Sequence, residues 1–298
     1  MKIDRSKESP DFSGERFVYA PSEMEIELEH IHRYILAAEI CVGKTVLDAA
    51  AGSGYGSGIL GQTAQKVVGL EIDPDSVRYA AETYGNDRVS FVTGDVMKTG
   101  LPDKAFDVIV SVETLEHVDN HQMILREFSR LLKPDGVLII STPDKPVYNR
   151  HLAEPNPFHV SELSRDEFFD LLRTWFPTVE FYGQRAVFGS LLTRSRDDWD
   201  GLRSFRRDIN TGFVQGRNIY DEAMYMVAVC GRGTVPKLTI SLYEGTIPQN
   251  ALSSLIGGLA DRDRAIASLV GNEKGEAAFA VVKSLLDRLT TLEIEREQ

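Results

Sequence analysis

Residues 46–57 read VLDAAAGSGYGS, and after a helix-length interval residues 67–73 read VVGLEID. An apolar strand ending near Asp48 runs into a loop carrying Gly52, Gly54 and Gly56. A second apolar strand then ends at Glu71. Glycine lets the chain turn sharply from strand to helix and lets backbone approach a ligand closely, which a side chain would prevent. A carboxylate at the end of the next strand is acceptor-only, and its two oxygens can take both hydroxyls of a ribose diol. Strand, turn, helix, strand and acid in that order describe a half-site for a bound adenosine.

The glycine spacing separates two ligands. A dinucleotide fingerprint requires G-x-G-x-x-G, whereas Gly52-Ser53-Gly54-Tyr55-Gly56-Ser57 places its third glycine early and a serine where the last should stand. S-adenosylmethionine has no pyrophosphate to seat on the helix N-terminus, so the pattern favours it over NAD. The expected cofactor residues here are Asp48, Gly52, Ser53, Gly54, Glu71 and Ile72.

Outward from this centre the pattern alternates. Strand 45–48, helix 55–63, strand 67–72 and helix 74–84 come first, with Asp73 as cap and Pro74 in the first turn of that second helix. Strand 89–93, strand 106–112, helix 119–132 and strand 137–142 follow, with Lys133-Pro134-Asp135-Gly136 as the last turn. Such alternation means a parallel sheet with helices on both faces and a ligand at the carboxyl ends of the strands. The third strand end supplies Asp95, suited either to the adenine amino group or to capping its own turn, followed by Val96. Ser111 ends the fourth strand, where the methionine part of the cofactor would lie. Upstream, Ser22 and Glu25 make a capping box, and Met24, Leu28, Ile31, Ile35 and Ala38 recur on one face of a lead-in helix within residues 1–40.

Immediately after Ser111 and Val112 comes Glu113-Thr-Leu-Glu116-His117. If a helical turn begins at Glu113, positions i, i+3 and i+4 share a face, and Glu113, Glu116 and His117 converge. Two carboxylates and an imidazole suit a divalent cation, with His159 in NPFHVSEL as the fourth ligand. From these residues alone the plainer role is favoured, in which Glu116 and His117 cap and orient a helix. His30, His32, His121 and His151 lack a comparable motif and read as surface or packing residues, His151 being a reserve because of its loop.

The net charge of −12 argues against nucleic acid as the main partner. Cys41 and Cys230 sit in apolar surroundings, as reduced thiols in a cytoplasm would. No apolar run is long enough to span a bilayer and no signal segment opens the chain, so a cytoplasmic protein is expected.

LDAAAGSGYG, VVGLEID, TGDV, FDVIVSVETLEHV and LLKPDGVLIISTP resemble successive motifs of class I S-adenosylmethionine-dependent methyltransferases, in order over residues 41–183. The resemblance implies a Rossmann-like fold with a mostly parallel seven-stranded sheet, its last strand antiparallel. GERFVY with EHIHRY, and NPFHVSELSRDEFFDLL with FYGQ, are similar to a bacterial branch tied to O-antigen and surface-polysaccharide assembly, which methylates sugars or their terminal groups. Glu-x-x-Glu-His also resembles a motif of metal-dependent O-methyltransferases, those of plant microRNA 2′-O-methylation and of ubiquinone biosynthesis. In the RNA enzymes a further histidine stands at a spacing matched by His159. This implies a divalent ion, Mg²⁺ or Mn²⁺, on Glu113, Glu116, His117 and His159, with His117 or His159 as general base if no metal acts. Methylation of a catechol or quinone precursor, methylation of RNA ribose, and an inactive cofactor-binding scaffold are the rivals.

The remaining expectations concern the periphery. Four prolines, Pro143, Pro146, Pro155 and Pro157, mark a stiff loop over the site. Ser164 and Glu167 cap a helix, and strands 178–183 and 223–230 close the sheet, completing a methyltransferase domain over 41–234. Arg185, Arg194, Arg196, Arg203, Arg206, Arg207 and Arg217 populate an insertion, 185–221, that suits either an anionic acceptor or a solvated mixed-charge surface. Residues 235–298 read as a helical extension, with Leu285, Leu289 and Leu292 offering a stripe for homo-oligomerisation.

Overall fold

The computed structural model describes residues 24–150, 156–186, 205–208, 212–215 and 223–241. Strand β1 (Thr45–Ala49) lies inside the sheet, paired in parallel with β2 (Lys66–Glu71) on one side and β4 (Phe106–Val112) on the other. Beyond β2 lies β3 (Val89–Thr93), and beyond β4 lies β5 (Leu132–Pro143), both parallel. The last two strands are β6 (Thr178–Gln184) and β9 (Tyr225–Gly231), and β9 runs antiparallel between β5 and β6. The seven-stranded order is β3-β2-β1-β4-β5-β9-β6. The chain thus has the Rossmann-like class I methyltransferase fold. A separate antiparallel hairpin, β7 (Phe205–Asp208) with β8 (Gly212–Gln215), lies inside the arginine-rich segment.

Pleating sends alternate residues to two cores. Val108, Val110 and Val112 of β4, with Val227 and Val229 of β9, join Tyr34 and Ala37 of helix α1 (Met24–Ile40) and Cys41 just after it on one face. Ile109, Leu138, Ile140, Met226 and Ala228 face the other way, against Ile124, Leu125 and Phe128 of α4 (His121–Leu131) and Phe168 and Leu172 of α6 (Arg165–Trp175). Burial pushes the thiol of Cys41 up to about 12, and both cysteines are free and buried.

Helix α2 (Tyr55–Leu60) is shorter than the sequence pattern implies, ending at Gly61, while α3 (Pro74–Tyr84) has the expected bounds. Asp73 caps α3 through Asp75 N and Ser76 N, and Ser164 and Glu167 form the reciprocal capping box of α6. Asn120 caps α4 through Met123 N, which delays its start to His121. Between β4 and β5 the pairing jumps from Phe106↔Leu132 to Val108↔Val137, so Lys133–Gly136 bulge out where a turn was expected.

Two departures matter for the site. Among the described side chains of α1 the buried ones are Glu29, Arg33, Tyr34, Ala37 and Ala38; of the expected apolar stripe Ala38 is buried, Ile31 is half-buried and Ile35 is 39% exposed. Polar side chains win this face because the strand ends offer them partners. Secondly, residues 235–241 are not peripheral: Val235 and Leu238 are buried, and Tyr182 Oη accepts from Leu238 N at 3.0 Å. They belong to the same compact unit as the sheet. Ser22, His151, Pro155, Arg194, Arg196, Arg203, Arg217 and the C-terminal leucine stripe lie outside the described residues. Among those described, no helix is long and apolar enough to cross a membrane.

Candidate active site

The glycine loop between β1 and α2 is built around two carboxylates. Asp48, fully buried, accepts from Tyr34 Oη at 2.9 Å and from Ser57 Oγ at 2.6 Å, tying α1 and α2 to the end of β1. Burial drives its carboxyl up to about 6 despite those two bonds. Glu71 accepts from Gly52 N at 3.0 Å and from Asp73 N at 3.2 Å, so it braces the loop from the neighbouring strand. The two essential glycines do different work. At Gly54 (φ +87°) an added Cβ would lie 2.6 Å from Ala80 Cβ and 2.9 Å from the Phe91 ring, a packing constraint. At Gly52 (φ +54°) an added Cβ would meet nothing within 4 Å, which keeps the loop surface bare for a ligand.

The rest of the expected cofactor set lines the same edge. Ser53 is buried in the loop, and Ile72, 62% exposed directly after Glu71, offers an apolar face beside the carboxylate. Asp95 takes Met97 N at 2.8 Å on Oδ1, the turn-capping role, while Val96 packs into the second core. Ser111 Oγ is buried and has no hydrogen-bond partner among the described residues. A ligand at the carboxyl ends of β1 and β2 would meet the Glu71 carboxylate, the exposed Ile72 side chain and the bare backbone at Gly52.

The Glu113–His117 segment departs from the expected helical turn. Glu113 has φ +50°, and the only helical turn is a 3₁₀ one at Leu115–His117. Glu113 is therefore thrown out of the helical face that it was expected to share. The pleat of β5 explains where each acid goes, because adjacent residues point to opposite faces. Ser141, on the α1 side, donates from Oγ to Glu113 Oε1 at 2.8 Å, and Thr142, on the α4 side, donates from Oγ1 to Glu116 Oε2 at 3.0 Å. Glu113 is held instead by Arg33, whose Nη1 donates to Oε1 at 2.6 Å.

The other three residues do converge. Ligand atoms of Glu116, His117 and His159 lie within 4.8 Å of one another, with Glu116 buried. His117 Nδ1 stands 3.0 Å from the Phe158 carbonyl, an acceptor only, so Nδ1 carries the proton and Nε2 the lone pair. His159 Nδ1 is 2.6 Å from the Glu162 carboxylate, and its Nε2 accepts from Asn156 Nδ2 at 3.2 Å. Such outer partners fix imidazoles for cation binding, although His159 would have to release Asn156 to ligate. Burial, with a contribution from Glu113, holds the Glu116 carboxyl well above the usual carboxylate range. One carboxylate and two imidazoles fit Mn²⁺, Fe²⁺ or Co²⁺ better than Mg²⁺.

The loop after β5 is fastened to this segment. Val160 N and Ser161 N donate to Glu116 O at 2.7 and 3.1 Å, and His121 Nε2 donates to the carbonyls of Leu115 and Ser161. His121 thus packs as expected. His30 does more than expected: half-buried in α1, its Nδ1 lies 2.7 Å from Tyr55 Oη, and burial with Arg33 holds it well below the usual imidazole range.

Residues 47–140 match the family described as "Methyltransferase domain". The matched stretch runs from β1 into β5 and takes in the glycine loop, Glu71 and the Glu113–His117 segment. A Mycolicibacterium smegmatis protein named "Probable S-adenosylmethionine-dependent methyltransferase" is 34% identical over 142 residues, 47% of this chain and 54% of that protein. A 2-methyl-6-phytyl-1,4-hydroquinone methyltransferase of Synechocystis is 36% identical over 101 residues, 33% of this chain and 32% of that enzyme. The chain therefore spans about half the length of the first relative and a third of the second. A chain of the Haloferax volcanii complex between the Trm112 methyltransferase activator and a methyltransferase shares the fold, with TM-score 0.54, 22% identity, and coverage of 72% of this chain and 94% of that one.

Proposed function

We propose that the chain is an S-adenosylmethionine-dependent O-methyltransferase acting on a sugar hydroxyl, or terminal group, of a glycan or glycoside, assisted by a divalent cation at Glu116, His117 and His159. The observation that carries this reading is the convergence of one buried carboxylate and two oriented imidazoles on the sheet edge that also holds the glycine loop and Glu71.

S-adenosylmethionine supplies an electrophilic methyl carbon, attacked in line with the departing sulfur. A cation at the cluster would acidify an acceptor hydroxyl and suit the paired oxygens of a vicinal diol. Glu116 must ionise to bind it, and Thr142 already supports one carboxylate oxygen. His117, with Nδ1–H committed to the Phe158 carbonyl, presents Nε2 to receive the acceptor proton in the absence of a cation. His159 is held between Glu162 and Asn156 and stacks on Tyr148 at 5.2 Å, which positions it. RNA ribose is a poorer acceptor for a chain with a net charge of −12.

A second reading, a catechol or quinone-precursor ring as acceptor, is favoured by Phe158 and Val160. They stand 48% and 64% exposed on the fastened loop beside the imidazoles. Methyl-labelled S-adenosylmethionine, offered with nucleotide sugars and glycan termini in one panel and catechols and hydroquinones in another, separates the two. The expected result is label on a glycan hydroxyl that EDTA abolishes. Label confined to the rings installs the second reading, and cofactor binding without transfer to any panel member leaves an inactive scaffold.

A further inference from the structure

Asn156 links the two imidazoles of the cluster. Its Nδ2 donates to His159 Nε2 at 3.2 Å and to Tyr148 Oη at 3.4 Å, and its Oδ1 accepts from Phe158 N at 3.0 Å. Phe158 in turn offers its carbonyl to His117 Nδ1 at 3.0 Å. One amide therefore touches His159 directly and reaches His117 through a single residue.

The orientation of that amide follows from its partners. A backbone N–H can only donate, so the atom facing Phe158 is Oδ1 and the atom facing His159 is the donor Nδ2. His159 Nε2 is then the acceptor, and the ring proton lies on Nδ1, against Glu162 Oε1 at 2.6 Å. Asn149 Nδ2 donates to Glu162 Oε2 at 2.8 Å, which steadies that carboxylate. His159, with its side chain 5% exposed, is held at both nitrogens.

The lone pair that would ligate a cation is the one engaged by Asn156, and cations differ in what they gain by displacing it. Mg²⁺ dehydrates reluctantly and is usually held by one or two carboxylates and several waters, so it can settle at Glu116 and leave the Asn156–His159 bond intact. Co²⁺ binds nitrogen more strongly, and coordination by a second imidazole outweighs one neutral hydrogen bond. The exchange leaves the amide with partners: Oδ1 stays on Phe158 N, and Tyr148 Oη already stands within reach of Nδ2.

We propose that Asn156 sets the cation preference of this cluster, engaging His159 Nε2 against oxygen-preferring ions such as Mg²⁺ and yielding it to imidazole-binding ions such as Co²⁺. This is specificity by an added penalty, which only an ion that gains from His159 overcomes. The inference rests on the cation reading above and extends it to a residue outside the ligand set. Calorimetric titration of the full chain with Co²⁺, and with Mg²⁺ both directly and in competition with Co²⁺, tests it. Asn156→Ala should tighten Co²⁺ about 3- to 10-fold and leave Mg²⁺ within about 2-fold. Tightening of both ions alike, or of neither, overturns it. So does weaker Co²⁺ binding, the result expected if Asn156 only seats Phe158 and, through it, His117. Should Asn156→Ala not fold, Asn156→Ser, whose hydroxyl can still accept from Phe158 N, decides by the same ratio. Wild-type protein that binds no Co²⁺, or whose Co²⁺ titration is unchanged in Glu116→Ala, removes the cation reading and this inference together. Glu116-dependent binding with an unchanged ratio of the two ions in the Asn156 variant removes this inference alone.

Discussion

The nucleoside half of the site, at the ends of β1, β2 and β3, and the acceptor half, at the ends of β4 and β5, are held by contacts of different reach. Asp48 is bonded to Tyr34 and Ser57, 14 and 9 residues away, and Glu71 to Gly52, 19 residues away. Glu113 is held by Ser141 across 28 residues and by Arg33 across 80, and His117 by Phe158 across 41. Near neighbours leave a motif in the chain, whereas distant partners leave none. The comparison also assigns separate work to two acids three residues apart: Glu113 serves the α1 side and Glu116 the α4 side.

The sharpest break between the halves is metal binding. Glu116→Ala should abolish binding of Mn²⁺ measured by calorimetry, while Glu113→Gln should keep the affinity within about 3-fold, since a variant lacking a direct ligand loses far more than a neighbour. Equal loss in both variants would return Glu113 to the metal. On the nucleoside side, Glu71→Ala removes two charge-assisted bonds to the loop, and retention of labelled S-adenosylmethionine in equilibrium dialysis should fall about 100-fold. A drop of less than about 3-fold would mean that the loop is shaped without it.

Next come the two glycines. Gly54→Ala should lower unfolding stability in urea by on the order of 2–4 kcal/mol, because its Cβ collides with Ala80 and Phe91 at an unfavourable φ. Gly52→Ala should cost only about 1 kcal/mol of stability yet weaken cofactor binding. Reversal of that order would contradict their assigned roles.

The remaining test is a pH slope. Asp48 ionises near its ordinary value when unfolded but at about 6 when folded, so the native state holds the extra proton between those values. Its contribution, ~3 kcal/mol in scale, is present in full at low pH and is lost as pH rises through about 6. Thermal melts of Asp48→Asn should therefore fall less steeply than wild type between pH 4.5 and 7, taken as roughly the window of this displacement. Parallel slopes would show that Asp48 does not carry it.

Much of the nucleoside half is legible in the chain. Strands 89–93 and 106–112 and helix 74–84 have the bounds that alternation and the Asp73-Pro74 start predict, and Gly54 is fixed by contacts that its motif already implies. The acceptor half resists because its decisive feature is a backbone sign. The i, i+3, i+4 spacing of Glu113, Glu116 and His117 presumes helix from Glu113, but a left-handed φ there starts the turn two residues later. Arg33 was hidden for a related reason. A helix read by its apolar stripe conceals a polar face whose partners belong to distant strands, although Arg33 and Tyr34 stand side by side in EHIHRY, the one local signal available.

The central claim is that this edge of the sheet binds S-adenosylmethionine, and calorimetric titration of that compound into the full chain tests it most directly. The account predicts saturable binding at one site per chain with micromolar affinity, on the order of −8 kcal/mol. Absence of saturable binding by the folded protein would contradict it.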